Sequence, residues 1–113
     1  MNRDKQMVSL EAEYVLAKAL DKDFQATWLH ITFTLIWFEE HYGVNPKVSV
    51  LTQGAITDFF TWMEHDLGYS SRIRLSIATA LDDFLIFAFE KGYLEYDLIG
   101  ISSRRTHFTG ISH

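Results

Sequence analysis

The chain has 113 residues, enough for one domain that buries about two-thirds of the surface its unfolded form exposes. With 48% hydrophobic and 22% charged residues, its composition is typical of a globular protein. The chain contains no cysteine, which excludes disulfides and thiolate metal sites, and its net charge of −5 disfavours tight nonspecific binding to nucleic acid.

The sequence shows no targeting or membrane segment. Its N-terminus lacks the apolar run of a signal peptide, and the most apolar stretch, Trp28 to Phe38, is too short for a membrane span. We therefore expect a cytoplasmic protein that does not bind membranes.

Helical periodicity predicts an all-α bundle of four main helices, separated by glycines and the single proline. The first helix runs from about Ser9, its N-cap, to about Leu20. The second runs from about Phe24 to Tyr42 and stops at Gly43, because glycine readily adopts the left-handed conformation that ends many helices.

The third and fourth helices each begin at a hydroxyl residue. Thr52 is the predicted N-cap of the third helix, which continues to about Leu67. Ser70 or Ser71 caps the fourth and longest helix, which continues to about Lys91.

Three segments make up the predicted domain organisation: an N-terminal arm at 1–8, a helical domain at 9–100 and a flexible C-terminal tail at 101–113. Within the helical domain we expect the connector 48–51 to be extended or a loop. Residues 93–99 are expected to form a short C-terminal helix or turn.

The inward stripes of the helices predict a core that includes Trp28, Leu35, Phe38, Phe60, Met63, Ile77, Leu81 and Phe84. The second helix carries a further apolar set on roughly the opposite side: Leu29, Phe33, Ile36 and Trp37. A helix that is apolar nearly all round is either central in its bundle or part of an interface. If a second copy covers this set, we expect a symmetric homodimer with Phe33 and Trp37 near its centre.

Several segments resemble the core-binding (SAM-like, N-terminal) domain of phage and Xer-type tyrosine recombinases, or integrases, over Leu10 to Ile99. The resemblance lies in Thr27–Leu29, Leu51–Thr52, Leu67–Gly68, Tyr69–Ser76 and Phe84–Leu94. It implies a SAM-like bundle that serves as a DNA-associated domain of a mobile genetic element.

The sequence also departs from that family. The catalytic domain of a recombinase would follow this region, so we expect no catalytic residues, no enzymatic activity, no cofactor and no metal site in this chain. The family's Asn-Pro after the last helix is replaced by Asp97 and Leu98. Lys47 is the only Lys or Arg between Lys22 and Arg72, whereas family members carry cations on the second and fourth helices to bind DNA.

The candidate DNA contacts are Ser70, Ser71, Arg72, Arg74 and Lys22. Backbone N–H groups and the helix dipole favour phosphate at the start of the fourth helix. The two arginines point well apart on a helical wheel, however, so they could equally be solvated charges that offset acidic residues of the same helix.

The acidic and histidine residues give no pattern of a chemical site. Glu40-His41 and Glu64-His65 end the second and third helices but lack metal-ligand spacing. Asp82 and Asp83 are adjacent on a helix and therefore diverge by about 100°.

Two functions remain open from the sequence. One is a non-catalytic, stand-alone DNA-associated domain that binds duplex DNA weakly. The alternative is an acidic protein-interaction or regulatory module on the same fold, encoded by a phage or plasmid, which binds a recombinase or another protein through an aromatic patch. The fold resemblance favours the first, and the net charge favours the second.

Overall fold

The computed structural model describes residues 5–94, and over this part of the chain it confirms the predicted all-α bundle. The four main helices are α1 (Met7–Lys18), α2 (Phe24–Tyr42), α3 (Gln53–His65) and α4 (Ser71–Glu90). The connector before α3 holds a short 3-10 turn, Val48–Val50, where an extended segment or loop was expected. The predicted C-terminal tail lies outside the described residues, as do residues 95–99 of the short helix or turn predicted over 93–99; residues 93 and 94 are not helical.

The predicted N-caps of α3 and α4 are confirmed. The hydroxyl of Thr52 accepts a hydrogen bond from the backbone N–H of Ala55 at 3.1 Å. The hydroxyl of Ser70 accepts one from the N–H of Ile73 at 3.3 Å. Each bond satisfies one of the N–H groups that a helix leaves without a backbone partner in its first turn.

The predicted start of α1 at Ser9 is wrong, because the helix begins at Met7. The Met7 side chain is buried, and its backbone N–H donates to the carbonyl of Pro46 at 2.8 Å. The N–H of Val48 in turn donates to the carbonyl of Lys5 at 2.8 Å. These contacts hold the described part of the predicted N-terminal arm against the connector between α2 and α3.

Glycine ends α2, as predicted. Gly43 has a φ of +95°, in a region that side-chain-bearing residues rarely adopt, and its N–H donates to the carbonyl of Glu39 at 3.0 Å. The predicted stops after α3 and α4 also have positive φ, at Gly68 and Gly92.

The core lies between α2 and α4, which pack mainly against each other, with α1 and α3 completing the bundle. Six of the eight predicted core residues are buried: Phe38, Phe60, Met63, Ile77, Leu81 and Phe84. Leu35 is half-buried at the edge of the core. The prediction for Trp28 is wrong, because this side chain is 41% exposed.

The error at Trp28 comes from the rotation of α2 about its own axis. The buried residues of α2 are Phe24, Ile31, Thr34, Trp37 and Phe38. The buried stripe of α2 therefore lies between the two apolar sets that the sequence suggested, and it includes members of both sets. Trp28 falls outside that stripe.

None of the helices within residues 5–94 combines the length and the hydropathy that crossing a bilayer requires.

Candidate functional site

The predicted cationic site at the start of α4 is reduced by the burial of one arginine. Arg72 is exposed, whereas Arg74 is only 4% exposed. Nη1 of Arg74 lies 3.1 Å from Oε1 of Glu64, near the end of α3. The interpretation of Arg74 as a phosphate contact, or as a solvated charge, is therefore wrong. Its guanidinium neutralises a carboxylate of its own chain.

The reason for the burial is the position of Arg74 on the inward stripe of α4. It lies three and four residues before Ile77 and Ala78, which are both buried. The neighbouring Ile73 lies off this stripe and is 46% exposed. Of the other predicted DNA contacts at the start of α4, Ser70 and Arg72 are exposed and Ser71 is half-buried.

Lys22 is exposed in the turn between α1 and α2, where a cleft of about 360 Å³ opens. Charged residues of both signs line this cleft: Lys18, Lys22, Asp21, Asp23 and Asp83. Three carboxylates accompany two ammonium groups, so the cleft has no excess positive charge to attract phosphate. Arg72 is not among the residues that line this cleft.

Asp83 accepts a hydrogen bond from the hydroxyl of Tyr14 at 2.5 Å, and Nζ of Lys18 lies 3.6 Å from the same carboxylate. The Tyr14 ring is fully buried and lies edge-on to Phe84. Burial, together with the bond to Asp83, raises the pKa of the Tyr14 hydroxyl. The hydroxyl thus stays protonated and links α1 to α4, a structural role.

A second polar cluster, which no pattern in the sequence indicates, joins the two ends of the described chain. Lys5 forms an ion pair with Glu13, and the hydroxyl of Tyr93 donates to the same carboxylate at 2.9 Å. The hydrogen bond from Lys5 lowers the pKa of Glu13. Glu13 lies 8 residues from Lys5 and 80 residues from Tyr93. Contacts at these separations leave no pattern in the local sequence, so only the fold shows this cluster.

Within residues 5–94, no three His, Asp or Glu side chains are placed to hold a metal ion. Glu64 pairs with Arg74, and the His41 ring stacks on Trp37 with 4.1 Å between ring centroids.

The four interface candidates of α2 separate into two pairs. Trp37 is 4% exposed, and its ring lies 5.2 Å from Phe59 of α3. Phe33 is half-buried, with its ring 5.9 Å from Trp62. The expectation that Trp37 lies near the centre of an exposed interface is therefore wrong, because the aromatic residues of α3 cover it, whereas Phe33 is covered only in part.

Leu29 and Ile36, the other two candidates, are 60% and 52% exposed. Together with Trp28 they lie on the side of α2 that faces away from the core. We define the outer face of α2 as the residues on this side and at its edges, at helical spacing: Gln25, Trp28, Leu29, Thr32, Leu35, Ile36 and Glu39. Thr32 and Leu35 are half-buried, and Leu35 also packs against the core. Five of the seven are apolar or threonine, and the charged residue lies at one end.

No protein family, curated protein or solved structure matches this chain. The resemblance to recombinase core-binding domains therefore rests on the sequence pattern alone.

Proposed function

We propose that this chain is a non-catalytic protein-interaction module of the cytoplasm that binds its partner through the outer face of α2. The observation that carries this proposal is the exposure of Trp28, Leu29 and Ile36 within little more than two helical turns. Single exposed apolar side chains are ordinary on soluble proteins, whereas contiguous ones mark binding surfaces.

The outer face of α2 differs from other exposed apolar positions in its continuity. From Phe24 to Phe38 the sequence contains no Lys, Arg, Asp or Glu. On α4, the exposed Ile73 and Leu75 lie beside the exposed Arg72, and Phe89 follows Leu75 by 14 positions with charged residues between them. The outer face of α2 has no charged residue between Trp28 and Ile36, and Trp is a residue type that is enriched at the centres of interfaces.

Charge supports a protein partner over DNA. Between Lys22 and Arg72 the sequence contains six carboxylates and Lys47 as its one Lys or Arg. Duplex DNA repels such a surface, because affinity for its backbone comes from Lys and Arg that displace counterions. Glu39 and Glu40 at the end of α2 favour a partner surface that is apolar with polar or basic edges.

The resemblance described above supports a place for this module in a mobile genetic element, as a regulator or inhibitor on a SAM-like fold whose partner is a recombinase or another protein. Self-association belongs to the same proposal. The surface for it is the outer face of α2, since Trp37 is buried and Phe33 is half-buried within the chain.

Site-specific photo-cross-linking in the native cell tests the proposal. A benzophenone amino acid replaces Leu29 on the outer face of α2, and a control chain carries it at Leu16, which is 81% exposed on α1. We expect a discrete protein adduct from position 29 and none from position 16, because both positions are accessible but only one is in the proposed surface.

Two results would contradict this proposal. Equal adducts from both positions would show that exposure alone determines cross-linking. An adduct that nuclease removes would favour the DNA-associated domain, which would then bind through the accessible residues Ser70, Ser71, Arg72 and Lys22.

A further inference from the structure

Resting on the proposed function, we infer that the outer face of α2 binds a basic amphipathic helix of its partner. The apolar side of that helix covers the exposed side chains between Trp28 and Ile36. Its Lys or Arg residues lie at the C-terminal end of α2, beside Glu39 and Glu40. The inference therefore specifies the chemistry of the partner segment and the end of α2 at which its cations bind.

The outer face of α2 has a notch at its centre. Trp28, Thr32 and Ile36 follow one another at four-residue spacing and form one ridge along the helix. Trp28 and Ile36 are 41% and 52% exposed, whereas the smaller Thr32 between them is half-buried. A gap between two large side chains of a ridge accepts an apolar side chain of a second helix, as in ridges-into-grooves packing.

The backbone of α2 favours a helix over an extended segment as the occupant. An extended peptide gains affinity by bonding to free backbone groups of a sheet edge, and the middle of a helix has none because its N–H and C=O groups bond to each other. A helix instead binds through side chains at i, i+3 or i+4 and i+7. The ridge from Trp28 to Ile36 spans about two turns, the same length as such a set.

Carboxylates without an ion-pair partner lie toward the C-terminal end of α2. Glu39 and Glu40 are exposed there, and Asp58 is exposed on α3. Within residues 5–94, none of these three side chains forms an ion pair. The negative end of the helix dipole lies at the same end of α2. Lys or Arg residues of a partner are therefore favoured at this end.

The N-terminal end of α2 lacks this excess of negative charge. In the turn before the helix, the exposed Asp21, Lys22 and Asp23 carry charges of both signs, and the positive end of the helix dipole lies beside them. The apolar residues of the partner therefore lie over Trp28 and the notch, and its cations lie beyond Ile36.

The same charges disfavour other occupants of this face. An anionic lipid surface or a nucleic acid would bring further negative charge to Glu39 and Glu40. A second copy of this chain carries the same carboxylates and a net charge of −5. A basic segment is the occupant that the charges attract.

Two synthetic peptides test this inference on the full chain. Both are amphipathic helices with leucine at i, i+3, i+4 and i+7 spacing. One peptide carries lysine at its remaining positions, and the matched peptide carries glutamate there. In amide spectra of the ¹⁵N-labelled chain, we expect the lysine peptide to shift the signals of Trp28, Thr32 and Ile36, and the glutamate peptide to leave them unchanged.

Substitutions at Thr32 test the notch. Thr32→Trp fills the gap and should weaken binding of the lysine peptide by about tenfold or more, because one leucine loses its buried site. Thr32→Ala keeps the gap open and should bind as the natural chain does. Thermal unfolding of both variants controls for folding, and equal binding by the two would overturn the packing at the notch.

A matched pair of charge reversals tests the basic character of the partner. Glu39→Lys should weaken binding of the lysine peptide by about two- to fivefold at about 0.15 M salt, as expected for the loss of an exposed ion pair. Glu90→Lys changes the net charge equally at an exposed position of α4 and should not weaken it. Equal effects of the two variants would show that only net charge attracts the peptide, which would overturn the inference.

Three further results would overturn it. The first is an equal response to both peptides or a response to neither. The second is a response to the lysine peptide that is confined to Asp21, Asp23 and Asp83, since these acidic residues line a different surface. The third is the same shift pattern without peptide when the natural chain is concentrated, which would identify a second copy as the occupant.

The photo-cross-linking experiment separates failure of this inference from failure of the proposed function. If the lysine peptide does not bind but position 29 still gives a protein adduct, the outer face of α2 binds a partner of other chemistry. If position 29 gives no adduct either, both the inference and the proposed function are wrong.

Discussion

Arg72 and Arg74 are two positions apart on α4, yet one is exposed and the other is buried against Glu64. From their charge alone, both arginines would be predicted to lie on the surface. Helical position separates them, because Arg74 shares a stripe with Ile77. Its burial could have been predicted by giving that stripe priority over the rarity of buried arginines, and by noting that Glu64 near the end of α3 could neutralise it.

The two arginines therefore give a matched pair of variants. Arg74→Ala should lower the free energy of unfolding by about 2 kcal/mol or more, since it removes a buried side chain and leaves Glu64 without its cation. Arg72→Ala should change it by less than about 0.5 kcal/mol. Urea denaturation of both variants measures the difference, and equal effects would contradict the burial of Arg74.

The burial of the Tyr14 hydroxyl predicts that the stability of the folded chain falls at alkaline pH. Its pKa is raised in the folded chain by burial and by the bond to Asp83, so the folded chain holds this proton more tightly than the unfolded chain does. The resulting stability is complete below the ordinary tyrosine pKa of about 10 and is lost as the pH rises beyond it.

The control for this effect is Tyr14→Phe. At neutral pH the variant should be less stable by about 1 kcal/mol, because it lacks the hydrogen bond to Asp83. This difference should shrink as the pH rises above about 10, since only the natural chain loses stability through Tyr14. Urea titrations of both proteins at several pH values measure it. A constant difference would mean that the Tyr14 hydroxyl ionises as freely in the folded chain.

At the scale of elements, α2 shows what the sequence can and cannot predict. Its bounds were predicted correctly, because Gly43 and the helical periodicity are local features. The rotation of α2 about its own axis was not predicted, because a helix that is apolar nearly all round contains no local signal that selects one face for the core. The choice depends on the neighbours, namely α4, against which α2 mainly packs, and the aromatic residues Phe59 and Trp62 of α3.

Ile36 and Trp37 test this rotation, since they are adjacent in sequence but lie on different faces. Trp37→Glu should unfold the domain or cost more than about 3 kcal/mol, because it empties a packed site and buries a charge. Ile36→Glu should change stability by less than about 1 kcal/mol, since its side chain is 52% exposed. Thermal and urea unfolding measure the stability loss of each variant. A larger loss from Ile36→Glu than from Trp37→Glu would mean that α2 turns its other face toward the core.

At the scale of the whole molecule, apolar and charged surfaces are distributed unevenly. The region from α2 to the start of α4 is acidic and carries the outer face of α2, while the described cations either pair with carboxylates or lie near the ends of helices α1 and α4. Composition indicated an acidic globular protein, and helical periodicity correctly indicated the bundle. The location of the accessible apolar surface could not be predicted from composition, because the same residue types occur on both sides of α2. Only the packing of the helices distinguishes the two sides.

The measurement that tests the proposed function most directly is an amide chemical-shift map of the ¹⁵N-labelled chain in extract from its native cells, before and after nuclease treatment. We predict that signals from the outer face of α2, Trp28, Leu29, Thr32 and Ile36 above all, broaden or shift relative to buffer and that nuclease leaves this pattern unchanged. Perturbation confined to Lys22 and to Ser70, Ser71 and Arg72, and abolished by nuclease, would contradict the account and identify a DNA-binding domain.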